Sequence, residues 1–157
     1  VPVRRGGIAV VLLAALLLTV DLAGCSPHPV GPARTYRSYE AKARTTAESA
    51  LSAVETVRLA AQAGGEGKAT GPFLGQVVSD QEDALSGVQG TFASIQPPDG
   101  RADELRSTLD DLLTAALAHV TDVRVAVRRG ELSDLSDLAG PLASDAEHLR
   151  AFVEAHR

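Results

Sequence analysis

Few side chains in this 157-residue chain could do chemistry, and their spacing narrows the kinds available. Cys25 is the only thiol, so the chain has no second cysteine for a disulfide or a thiolate metal site. The histidines are His28, His119, His148 and His156. Asp145 and His148 stand three apart, which places both on one side of a helix, and His119 flanks the apolar stripe of the preceding helical segment. Those three residues could hold a metal ion or small ligand between two helices. The paired Glu-x-x-His motifs of di-iron bundles and the His-Glu-x-x-His motif are missing, and edge histidines commonly serve as hydrogen-bonding groups. A hydrolase has less support still. There is no Gly-x-Ser-x-Gly elbow, and the serines fall mostly in helical segments or at their caps. Gly64-Gly65-Glu66-Gly67-Lys68-Ala69-Thr70 imitates a phosphate loop only superficially. Gln62 stands where its first glycine belongs, Ala69 replaces the hydroxyl residue after lysine, and no strand precedes it. It reads as an interhelical loop.

The cysteine has a more specific setting. Arg4 and Arg5 are followed by an apolar run from Ile8 to Val20, interrupted only by Thr19, and then by Leu22-Ala23-Gly24-Cys25. The run is shorter than the ~20 residues a membrane span needs. This segment resembles the leader and lipobox of bacterial lipoprotein precursors. The resemblance implies that Leu22, Ala23 and Gly24 are recognised by the signal peptidase, that the Cys25 thiol is alkylated by diacylglycerol, and that cleavage leaves a lipidated Cys25 at the new N-terminus. Two or more acyl chains suffice for stable attachment, so the expected location is the extracytoplasmic face of the cell membrane. The expected organisation is a signal peptide over 1–24, a lipidated cysteine and tether over 25–34, and a helical domain over 35–157. The absence of Met, the opening Val1, and thirteen Arg against two Lys suggest a GTG start codon and a high-G+C bacterial genome.

Composition limits the partners. Without residues 1–24 the chain has thirteen basic and nineteen acidic residues, a net charge of -6. Such a balance disfavours nucleic acid, which needs a basic stripe. No cofactor is indicated. With no Trp, two Tyr and three Phe, the core must be built mostly from Leu, Val and Ala.

The elements that would position these groups are helices. Ser26 to Pro32 contains three prolines and a glycine, which predicts an extended tether. Four segments with apolar residues at steps of three and four follow. The first runs through Tyr36, Tyr39, Ala43, Ala47, Ala50, Val54, Val57 and Ala61, with Glu40–Arg44 and Glu55–Arg58 as surface pairs. The second opens with Pro72 and carries Leu74, Val77, Val78, Leu85, Val88, Phe92 and Ile95, with Gln81 in its apolar face. The third has the broadest apolar face, from Leu105 to Val127, and is expected to lie deepest; Asp99 caps it and Gly130 ends it. The fourth spans Leu135 to Val153, with Ser133 as its cap and a kink or fresh start at Pro141. The pattern predicts an all-α, antiparallel up-down-up-down four-helix bundle. The alternative is a three-helix core with the Ala-rich first helix as a stalk.

Two surfaces stand out. Gly87 and Gly90 fall on the outer side of the second helix, where each costs ~1 kcal/mol relative to Ala, and could let a partner backbone approach. Arg34, Arg37, Lys42 and Arg44 follow the tether; they could attract an anionic membrane or be ordinary solvated charge. The expected function is that of a non-catalytic interaction or accessory module, held at the membrane by its lipid and meeting an unidentified envelope protein. A metal- or small-ligand-binding bundle using His119, Asp145 and His148 is the alternative, and a small hydrolase the third.

Overall fold

Thr35 sets the start of the first helix. Its backbone is extended, and its hydroxyl accepts the Ser38 N–H at 3.2 Å, which satisfies one of the open donors of the first turn. The computed structural model describes residues 32–157. The leader, the box Leu22–Cys25, His28 and the Pro-rich stretch as far as Gly31 lie outside the described residues. Four α-helices make up the described chain: α1 (Tyr36–Gly65), α2 (Gly71–Ala93), α3 (Gly100–Arg129) and α4 (Leu135–Ala155), with a 3-10 turn at Leu132–Asp134 before α4. No strand occurs among the described residues.

Cross-links between named residues fix the directions. Residues at the two ends of α1 meet α2 in reverse order: Gly64 faces Leu74, and Tyr39 stacks on Phe92 with ring centroids 5.3 Å apart. Between α2 and α3 the order is again reversed, with Thr121 bonding Glu82 and Arg106 bonding the Ala93 carbonyl. Gly65 lies against Ser136 and Glu55 against Arg150, so α1 and α4 are also antiparallel. The protein is an all-α, up-down-up-down four-helix bundle.

The depth order differs from the sequence expectation. α3 buries nine residues, but α1 buries eleven, and although both pack against all three other helices, α1 does so more extensively. The Ala-rich helix is therefore the hub of the bundle rather than a stalk. The reason is steric. Ala43, Ala47, Ala50 and Ala61 are completely buried, and their small side chains let three neighbours pack against one helix. α2 is at the other extreme. It buries only Leu74, Val78, Leu85 and Phe92, about one residue for every turn and a half. The core is Leu, Val and Ala, with Tyr39, Phe92 and Phe152 as its aromatic members.

The turns follow their local chemistry with a few departures. Asp99 accepts the Ala102 N–H at 3.0 Å and starts α3; Gly130, at φ 75°, ends it in the left-handed conformation. Pro72 sits in the first turn of α2. α1 runs on to Gly65 rather than breaking at Gly64, because Gly64 is buried against Leu74 and Leu135. Ser133 does not cap α4. It lies inside the 3-10 turn with its hydroxyl on Asp134, and the first residue before α4 is Asp134, which makes no side-chain cap. The fourth helix is also unbroken at Pro141. Proline removes one N–H from the ladder, and the carbonyl it leaves is that of exposed Asp137, where water can replace the bond. Arg44 faces Glu48 at 3.7 Å instead of Glu40, whereas Arg58 and Glu55 pair at 2.7 Å as expected. Gln81 is half-buried at the border of α2's stripe, without a bond to another helix among the described residues.

Candidate functional site

α3 and α4 bring together two of the three residues singled out for ligand chemistry. His119 Nδ1 lies 2.7 Å from Asp145 Oδ2. Both helices present these positions beside their apolar stripes, between buried Ala116 and Val120 on one side and Leu142 and Ala146 on the other. The environments of the pair are unequal. The Asp145 side chain is 7% exposed and that of His119 is 37% exposed. The bond engages Nδ1 of the ring, which leaves Nε2 as its other polar atom.

A carboxylate-oriented imidazole is half of several chemical devices, each of which needs a third group. A hydrolase needs a hydroxyl on the other ring nitrogen, and no Ser or Thr bonds His119 among the described residues. A metal site needs further ligands. His148 is exposed on α4 and does not join the pair, and no group of three or more His, Cys, Asp or Glu among the described residues is arranged to hold an ion. The spacing Asp145–His148 correctly put both residues on one helix, but burial divides them. The His119–Asp145 contact fastens α3 to α4 and neutralises polarity at the edge of the core.

Two further polar clusters were not visible from spacing. Glu82 on α2 accepts from Thr121 at 2.8 Å and pairs with Arg124, both on α3. One turn and more away, Gln89 donates to Asp110 and Thr114. These bonds reinforce the helix with the thinnest apolar stripe. On the opposite side of the core, Glu55 bridges Arg58 of its own helix and Arg150 of α4. The Arg58 hydrogen bond holds the Glu55 carboxyl below the ordinary carboxylate range, with Arg150 adding to the effect and burial opposing it. Partners on other helices at separations of 39 and 95 residues have no signature in a single sequence.

The surfaces fall as follows. Gly87 and Gly90 are exposed on α2, and no other residue approaches the place where a Cβ would stand. Among the described residues, Leu59 and Phe73 are the large apolar side chains most open to water, at 57% and 59%. At the N-terminal end of α1, Arg34 and Arg37 are exposed, and the Arg101 guanidinium of α3 stacks 4.0 Å over the Tyr36 ring. Tyr39, one turn further in, is fully buried, and its hydroxyl has no hydrogen-bond partner among the described residues. Burial pushes the Tyr39 hydroxyl pKa up, opposed by the positive charge of Arg106 and assisted by Asp103. No helix among the described residues is long and apolar enough to cross a membrane. Compared with known proteins, the chain matches no protein family, no characterised protein and no solved structure.

Proposed function

We propose that the chain is a cell-envelope lipoprotein, anchored through an acylated Cys25, whose four-helix bundle is a non-catalytic interaction or accessory module. The observation that carries the anchor is the sequence Leu22-Ala23-Gly24-Cys25 after Arg4, Arg5 and a short apolar run. The start of the bundle is consistent with it. Ala33 is already packed in the core and α1 begins at Tyr36, eight and eleven positions after Cys25 in the sequence. The accessory role rests on the polar residues at the helix seams. His119, Asp145, Glu82 and Glu55 are engaged with partners on neighbouring helices, in arrangements that hold helices together.

The anchor is tested by expressing the chain in a bacterial host fed an alkyne fatty acid. Labelling and membrane retention of the wild type, both lost in Cys25→Ser, are the expected result. A Cys25→Ser chain that still carries lipid and stays in the membrane overturns it. The accessory role is tested by crosslinking the anchored chain in cells and identifying the captured protein. A metal-dependent rise in Tm that disappears in His119→Ala would replace it with the ligand-binding reading.

A further inference from the structure

We infer that the N-terminal end of the bundle is a lipid-facing surface, which rests on anionic headgroups when the chain is anchored. This inference rests on the acylated Cys25 of the preceding section.

The bundle is electrically lopsided. Residues 32–48 and 90–108 make up this end, and they carry six cations, Arg34, Arg37, Lys42, Arg44, Arg101 and Arg106, against five anions including Glu48, the partner of Arg44, a net charge of +1. The rest of the described chain has seven cations against fourteen anions, a net charge of -7. An acidic bundle thus keeps nearly half its cations at one end. That end is also the one the chain enters through, since Ala33 is packed there.

Helix lengths sharpen the asymmetry. α1 has 30 residues and α4 has 21. With Ser136 beside Gly65 and Arg150 beside Glu55, α4 ends near the level of the middle of α1. The first turns of α1 therefore stand beyond the end of α4, and the acidic residues Glu147 and Glu154 do not flank them. α1 and α3 are parallel, as the Tyr36–Arg101 stack shows, so both turn positive helix ends the same way.

The placement works against the local electrostatics of the fold. Cations are unfavourable at a helix N-terminus, and α1 has no acidic residue in its first turn. Arg34 and Arg37 nevertheless flank that turn and are exposed. Arg101 adds a third exposed guanidinium, laid flat on Tyr36. A tyrosine ring under an arginine suits a water–lipid boundary, where each side chain has an apolar body and a polar tip.

Cys25 and Ala33 are eight positions apart, a reach of at most ~28 Å when fully extended. The acyl group thus holds this end, and not the acidic far end, next to the headgroups. The partner of matching charge is an anionic lipid surface, with salt able to screen the attraction over ~8 Å at physiological strength.

The test uses the mature acylated chain in vesicles of phosphatidylcholine alone or with one third phosphatidylglycerol. Cys25 is consumed by lipid, so a single added cysteine can carry a fluorophore, at Ala41→Cys near the tether or at Glu131→Cys at the far end. Energy transfer to a lipid-borne acceptor reports the distance. Greater transfer from position 41 on the anionic vesicles only, abolished by 1 M salt and unchanged at position 131, is the expected result. Each cation removed should lower the membrane-apposed population about fivefold, as read in Arg34→Gln and in Arg37→Gln. Arg34 lies ahead of α1, so its replacement leaves the helices untouched, and circular dichroism checks the second variant. Equal transfer on both vesicle types from a chain anchored to both overturns the docking surface and leaves the anchor standing. A chain that enters neither vesicle type overturns both.

Discussion

Four glycines make opposite demands on the same chemical change. At Gly65 a Cβ would stand 2.8 Å from the Ser136 backbone nitrogen and 2.0 Å from its hydroxyl oxygen. The hydroxyl can rotate aside, but the backbone of α4 cannot. Relief needs the start of α4 to move by about half an ångström away from α1, against a close-packed core. Overpacking of this kind costs ~1–3 kcal/mol, and Gly65 is the last residue of α1, where helix propensity returns little. At Gly64 the added carbon would meet Leu74 and Leu135, each at 2.7 Å and both fully buried, with a similar penalty. Gly87 and Gly90 are the controls. Nothing lies within 4 Å of either Cβ position, so Ala there should stabilise by ~0.5–1 kcal/mol through helix propensity alone. Thermal unfolding of residues 32–157, followed by circular dichroism, should therefore move in both directions. At about 4 °C per kcal/mol, Gly65→Ala and Gly64→Ala lower Tm by several degrees, whereas Gly87→Ala and Gly90→Ala raise it by a few. A Gly65→Ala protein as stable as its parent would refute the close approach of α1 and α4, and with it the argument that α1 sits at the centre.

Other outcomes follow from the same packing. Ala50→Leu inserts a large side chain at a fully buried hub position and should cost ~1–3 kcal/mol in urea unfolding, whereas on a stalk it would be neutral. Tyr39→Phe removes a buried hydroxyl with no partner among the described residues, so stability should stay level or rise by up to ~1 kcal/mol; a clear loss would reveal a bond to the hydroxyl. Glu55→Gln should lower stability at pH 7 by under ~1 kcal/mol, since the pair is partly exposed. Because folding lowers the Glu55 pKa from 4.5, its contribution is present above that value and lost as pH falls through the lowered one. The parent and the variant should therefore converge in strong acid, and a gap that persists there would contradict the ion-pair account.

The four helices were legible because each carries a 3.6-residue apolar rhythm bounded by groups with a local effect: Thr70-Gly71-Pro72, Asp99-Gly100 and Gly130. Depth was not. Periodicity weighs a stripe by the size of its residues, so Leu-rich α3 outranked Ala-rich α1, although small side chains are what admit close neighbours. The pair His119–Asp145 could be suspected because both residues border stripes on consecutive helices. His148 looked equivalent on the helical wheel, and only the tilt and depth of packed helices separates it from Asp145. The links Glu82–Arg124 and Glu55–Arg150 join residues whose spacing says nothing about proximity. The charge imbalance between the ends required the lengths and offsets of all four helices.

The central position of α1 also governs the order in which the bundle can be completed. The helix made first is the one every later helix must find, and its contacts with α4 close loops of up to 95 residues, as between Glu55 and Arg150. Long closures slow assembly. Until α4 has emerged, the buried alanine and valine face of α1 lacks one of its three walls. A chain stopped at Gly130 would be left with an open apolar furrow along its first helix, prone to recruit a second copy. The stability of the bundle is therefore reached only once α4 is in place, and that helix is the piece that commits it.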